Sequence, residues 1–146
     1  GGFLRTASDT RQTWHSDCSR SLFRNLPVQL PPHCVTVFVP LVQCNVQTGC
    51  TEFLPGSHLR PDEPDDLTVD RLEGSVHYPE ASPLKRAFPH LKLNVSAGSL
   101  IVYDYRTVHR SGRNLSGRAR AVVEVNFCRK WYRDHCNAGS EGEDNN

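Results

Sequence analysis

The apolar runs of this chain limit its fold most: they are short, rich in β-branched residues, and none repeats at helical spacing over three turns. Val35–Val42 (VTVFVPLV) reads as a strand, with Pro40 inside it marking an edge or a bulge. Cys50–Leu54 follows a turn-like stretch through Thr48-Gly49 and stops at Pro55-Gly56. Gly98 opens a third run, Ser99–Tyr105. In Ala119–Phe127, Ala121, Val123 and Val125 share one face while Val122, Glu124 and Asn126 share the other. Short strands divided by turn signals, without an internal repeat, predict an all-β fold, an antiparallel sandwich or barrel.

Composition narrows the reading. With 146 residues, 37% of them hydrophobic, the chain suits one domain with a real core. Lys and Arg (17) nearly balance Asp and Glu (16), so no global field draws the chain to nucleic acid or a membrane. The Arg-rich stretch Arg106–Arg133 then reads as a local clamp plus a solvated face, and no nucleic-acid partner is expected. No apolar run approaches the ~18 residues of a membrane span, and no basic-then-apolar leader is visible. Methionine is absent, so the chain reads as a fragment of something longer. Residues 1–136 are expected to form the domain, and the polar, acidic stretch 137–146 a disordered tail. Arg60–Pro89, with Pro61, Pro64, Pro79, Pro83, Pro89 and an acidic first half, is expected to be a lid or a solvated loop. The six cysteines contain no C-x-x-C; they read as free, small hydrophobes of a reducing, cytoplasmic compartment, with disulfides the alternative.

Chemistry concentrates at two places. In Trp14-His15-Ser16-Asp17, strand alternation turns His15 and Asp17 to one side and Trp14 and Ser16 to the other. An imidazole beside a carboxylate is two-thirds of a 2-His-1-carboxylate site for non-heme Fe(II). A second histidine, His109, ends the run Tyr103–Val108, and Gly112-Arg113-Asn114-Leu115-Ser116-Gly117 reads as a hairpin loop. Folding that loop at Asn114–Leu115 pairs Ser111 with Arg118 and His109 with Arg120, and would set both arginines on one cavity wall. A guanidinium fork beside a metal site suits a dicarboxylate co-substrate. His58, in the Pro-Gly-Ser-His turn, reads as a structural hydrogen-bonder, and no G-x-S-x-G nucleophile elbow occurs.

His15-x-Asp17, the run Gly49-Cys50-Thr51-Glu52-Phe53-Leu54-Pro55-Gly56-Ser57-His58, and Gly98-Ser99-Leu100 leading to His109 resemble the phytanoyl-CoA dioxygenase family. The resemblance runs from about Gln12 to Phe127 and implies a double-stranded β-helix, or jelly roll, lacking the family's usual N-terminal helices and a core strand. It implies an Fe(II)- and 2-oxoglutarate-dependent oxygenase that hydroxylates an aliphatic C–H of a small-molecule substrate. Molecular oxygen is consumed, and succinate and CO2 are the co-products. Iron falls to His15, Asp17 and His109. The distal carboxylate of 2-oxoglutarate falls to Arg120, eleven residues past His109, assisted by Ser111, with Phe38 lining the pocket. The retained aspartate separates the chain from halogenating relatives. The alternative is a non-catalytic jelly-roll binding module or a truncated pseudoenzyme.

Overall fold

A computed structural model describes residues 2–5, 10–18, 30–60, 68–69 and 75–132. Two antiparallel sheets face each other. The four-stranded sheet has the order β1 (Gly2–Arg5), β10 (Arg120–Cys128), β3 (Cys34–Pro40), β8 (Ile101–Asp104). The six-stranded sheet has the order β5 (Thr68–Val69), β6 (Val76–Tyr78), β2 (Trp14–Ser16), β9 (His109–Ser111), β4 (Thr51–Phe53), β7 (Leu91–Lys92). The chain switches sheets at every step from β1 to β4 and again from β7 to β10, with β4 to β7 all in the six-stranded sheet. This is the expected jelly roll. All four apolar runs become strands, and Cys50–Leu54 and Ser99–Tyr105 are trimmed at both ends. Val35–Val42 gains Cys34 and loses its last two residues, and Ala119–Phe127 shifts by one to Arg120–Cys128. Pro40 closes β3 opposite Val122, beyond the last residue that β8 pairs, so its missing N–H costs the sheet nothing.

Burial alternates along β2 and β6, whereas β4 is buried at every residue and the edge strand β7 is exposed. On the outer side of the six-stranded sheet, Trp14, Leu54, Val76, Tyr78, Leu84 and Val108 form the main core cluster, with Phe88 against it. Leu84 belongs to a short helix, α1 (Leu84–Ala87). Residues 61–67 and 70–74 of the stretch expected to be a lid or loop lie outside the described residues, but its second half, 75–89, is more structured than its prolines indicate. It supplies β6, which pairs with β2, and a cover for the sheet's outer face. A second cluster, Cys18, Cys34 and Tyr105 with Tyr132, closes one end of the sandwich. Cys18, Cys34, Cys44 and Cys50 are buried thiols, as small hydrophobes would be, whereas Cys128 is exposed. Cys136 and the stretch 137–146 lie outside the described residues. Among the described residues, no helix is long and apolar enough to cross a membrane.

The hairpin expected around Asn114 does not form. His109 pairs with His15 and Phe53, whereas Arg120 pairs with Arg5 in the opposite sheet. The connecting loop crosses between sheets because its backbone bonds go elsewhere. Gly112 donates to the Cys50 carbonyl (3.0 Å) and Leu115 to that of Gln47 (2.8 Å). The Asn114 side chain then satisfies the turn, donating to the Arg118 carbonyl (2.8 Å) and accepting from the Ser116 N–H (3.1 Å). Gly49, at φ 75°, lets the loop approach: a Cβ there would lie 2.7 Å from the Arg113 carbonyl carbon.

Candidate metal centre

The inner face of the six-stranded sheet brings three imidazoles into a row. Cross-strand pairing sets His77 on β6 opposite His15 on β2, and His15 opposite His109 on β9. The His15 and His109 rings are 4.5 Å apart between centroids, and His77 lies 5.7 Å from His15 on the other flank. Asp17 follows β2 and reaches the same cavity, its Oδ1 3.9 Å from His15 Nε2 and 3.7 Å from His109 Nε2. Both histidines are held by the nitrogen that faces away. His15 Nδ1 bonds the Thr13 carbonyl and His109 Nδ1 the Thr107 carbonyl, each at 2.9 Å. With that nitrogen donating, the lone pair sits on Nε2, the atom that points at Asp17.

These three residues form a group of potential ligand atoms, all within 4.8 Å of one another. The separations from Asp17 are below the roughly 4.2 Å that two opposed bonds of about 2.1 Å would span. Burial, and after it the facing His109, lowers the His15 pKa from 6.5 to about 4 despite the pull of Asp17. At neutral pH the imidazole is uncharged, the form a metal requires. Two nitrogens and one carboxylate oxygen on one side of an ion are the donor set of a facial triad, so the residues present fit non-heme iron.

The opposite wall comes from the four-stranded sheet. Arg120 is 3% exposed, and its Nη2 donates to Ser111 Oγ at 3.0 Å while Nη1 donates to the Gly49 carbonyl. Arg120 and Ser111 thus meet across the sandwich and not along a hairpin. Ser111 is itself gripped by Gln12, whose Oε1 accepts the Ser111 N–H at 2.9 Å. Arg118, expected beside Arg120, is exposed near the loop and not on the cavity wall. Phe38 meets Tyr103 edge-on at 5.2 Å and His109 at 6.5 Å, which puts it in the cavity lining. Phe53 stacks on His109 at 5.7 Å. Tyr103, buried, brings its hydroxyl 3.5 Å from His109 Nε2, and burial, with Asp17 next, raises its pKa well above 10.

Sequence patterning assigns no role at the site to Tyr103, Phe53 or Gln12, and His77, read as one of the histidines outside the metal set, lies beside His15. Phe53 faces the cavity because it pairs with His109, and Tyr103 because it pairs with Thr36, registers set between distant strands; His77 sits in the stretch read as a loop. Ser57 holds the Pro-Gly-Ser-His turn, its Oγ accepting the Val108 N–H at 2.8 Å, whereas His58 Nδ1 is buried without a hydrogen bond.

Comparison with known proteins decides the family. The profile of the phytanoyl-CoA dioxygenase (PhyH) family matches residues 5–122. This chain belongs to the phytanoyl-CoA dioxygenase family. A phytanoyl-CoA dioxygenase of Arabidopsis thaliana is 28% identical over 112 residues, 72% of this chain and 38% of that protein. An uncharacterized protein of Mycobacterium tuberculosis is 34% identical over 86 residues, 59% of this chain and 25% of that protein. The chain thus spans well under half the length of these curated relatives. Among solved structures, the non-heme α-ketoglutarate-dependent carbocyclase SnoK matches 86% of this chain and 46% of that one, with 25% identity and a TM-score of 0.58. The epimerase SnoN, solved with Fe3+, α-ketoglutarate and nogalamycin RO, matches 86% of this chain and 46% of that one, with 24% identity and a TM-score of 0.62. SnoN shares the phytanoyl-CoA dioxygenase fold described here.

Proposed function

We propose that the chain carries the catalytic site of an Fe(II)- and 2-oxoglutarate-dependent oxygenase that hydroxylates an aliphatic C–H of a small molecule, releasing succinate and CO2. The observation that carries this reading is the convergence of His15 Nε2, Asp17 Oδ1 and His109 Nε2 opposite a buried arginine that has a hydroxyl beside it. The description of SnoK as α-ketoglutarate-dependent supports it. Iron with 2-oxoglutarate supplies the oxidising power that no side chain has.

The protein residues bind, orient and shield. His15, Asp17 and His109 would hold the metal as two imidazole nitrogens and one carboxylate oxygen. Arg120 receives the distal carboxylate of the co-substrate, with Ser111 as a second donor once its own bond to the guanidinium is shared. Gly49 and Gln12 fix those two groups before the ligand arrives, which lowers the ordering cost of binding. Phe38, Phe53 and Tyr103 line the space between clamp and metal and keep water from it.

The test is anaerobic Fe(II) and 2-oxoglutarate binding, then succinate release in air, for the purified chain and for His15→Ala, Asp17→Ala and His109→Ala. One metal per chain and succinate release, both lost in all three variants, is the expected result. Unchanged iron affinity in Asp17→Ala would refute the triad. Iron and co-substrate binding with no succinate under any condition would favour the binding module.

A further inference from the structure

On the outer side of the clamp, a second cavity of about 190 Å³ lies at the edge of the six-stranded sheet, with room for roughly six waters. Its floor is backbone, from Gly49, Cys50 and Gly112, and its rim carries Arg11, Lys92 and Arg113. The floor is tight: a Cβ on Gly112 would come 3.0 Å from the Cys50 carbonyl oxygen, and one on Gly49 would collide with Arg113. The cations therefore stand over a fixed surface.

What is unusual is how these cations are left. Among the described residues, neither the Arg11 nor the Arg113 guanidinium makes a hydrogen bond, although the Arg11 charge is near enough to help lower the pKa of Glu52. Lys92 reaches a carboxylate only at 3.8 Å. That carboxylate, Glu52, is the one acid in the wall, and it is already committed from the other side. It accepts from Arg110 Nε at 2.7 Å and lies 3.1 Å from His90 Nε2. Three cations thus face one cavity with a single acid, Glu52, which Lys92 and Arg11 partly balance and which Arg110 and His90 hold from the other side. Positive charge is left in excess there, in a chain whose overall charge is only +1.

From this arrangement we infer a second anion site, distinct from the 2-oxoglutarate clamp, that takes a phosphate-sized dianion between Arg11, Lys92 and Arg113. Guanidinium forks match the oxygens of a phosphoryl group two at a time, and the ammonium of Lys92 adds a point charge. Gly49 belongs to both places, since its carbonyl holds Arg120 on one side while its backbone floors the cavity on the other. The ligand is either free phosphate or a phosphoryl group carried on a larger molecule.

Calorimetric titration of the full chain with inorganic phosphate, and separately with phenyl phosphate, tests the inference. The expected result is one saturable site with a dissociation constant on the order of 1 mM or tighter, weakened by added salt. Arg113→Glu and Arg11→Glu should each weaken it at least tenfold. Arg118→Glu makes the same charge change on the same loop outside the cavity, and should weaken it less than twofold. Tighter binding of phenyl phosphate assigns the site to a carried phosphoryl group, and equal binding assigns it to free phosphate; both support the site. Absence of saturation overturns the inference, as does an equal loss in Arg118→Glu. The titration is repeated with Fe(II) and 2-oxoglutarate loaded under argon. Loss of the phosphate signal there would mean that phosphate had occupied the clamp, and would also overturn the inference. Failure of iron binding, with phosphate binding intact, would refute only the proposed activity.

Discussion

His15 is the residue where folding and chemistry pull on the same proton. Its pKa falls from 6.5 to about 4 through burial first and the His109 imidazole second. Between those values the unfolded chain takes up a proton that the folded chain refuses, so the metal-free protein loses stability as pH falls from 6.5 towards 4. The full difference is about 3 kcal/mol. Urea midpoints at pH 7 and pH 4.5, compared with those of His15→Asn, measure it; an identical slope in the variant would show that other groups dominate. For His15 as a proposed ligand, the low value would also extend metal binding to more acid solution than a free imidazole allows, since His15 stays neutral below 6.5. The second residue to separate is Arg120. Lys cannot offer a planar fork, so Arg120→Lys should raise the 2-oxoglutarate dissociation constant at least tenfold, about 1.4 kcal/mol, with little change in iron affinity. Arg118→Ala should change it less than twofold, because that side chain lies outside the cavity. A larger loss at Arg118 would mean that the clamp is drawn around the wrong arginine.

At the scale of elements, the strands were legible because a period of two is written in Val35–Val42 and Ala119–Phe127, and His15-x-Asp17 carries its shared face in its spacing. The partners of β9 were not legible. A glycine-bounded loop containing Asn looks alike whether it turns within a sheet or crosses between two, and backbone bonds to Gln47 and Cys50 decide it from far along the chain. The proline-rich stretch hid β6 and α1 for a related reason: Leu84 and Tyr78 are fixed by burial against Trp14, not by local propensity. That cover is tied down by charge as well as by packing. Arg110, 2% exposed, bonds Glu52 and Glu80, and its guanidinium lies 4.2 Å from the Trp14 ring centroid. Burial works to raise the Glu52 carboxyl, but the Arg110 hydrogen bond and charge outweigh it, and the pKa ends below 4.5. Arg110→Ala would leave Glu52, 3% exposed, as a buried charge with weaker partners, and should cost about 3–5 kcal/mol in denaturant unfolding. Replacing Glu52 and Arg110 together by Leu and Met should cost less than Arg110→Ala alone; an additive cycle would show that the pair is not coupled.

For the whole molecule, the two sheets differ in what covers them. The outer side of the six-stranded sheet is sealed by the stretch that carries α1, whereas the outer side of the four-stranded sheet presents a row of apolar side chains. Val102 and Val125 both pair with Val37, and Phe127 pairs with Val35, so all share one face. Val102 is 61% exposed, Phe127 61%, and Leu100, two residues before Val102, 70%. Single exposed apolar residues are ordinary, but a contiguous apolar sheet face draws copies together. The chain on its own should therefore associate as its concentration rises. Introducing charge where no packing is lost should reverse this, because a lysine on that face keeps its ammonium in water. Light scattering across a concentration series of the wild-type chain and of Val102→Lys/Phe127→Lys decides the matter. The expected outcome is a mass that climbs for the wild type and stays at one chain for the double variant, with the same iron stoichiometry in both, since the proposed metal ligands lie on the inner face. A wild-type mass that stays at one chain at all concentrations would show that this face is shielded or harmless, and the asymmetry between the sheets would then have no consequence for association.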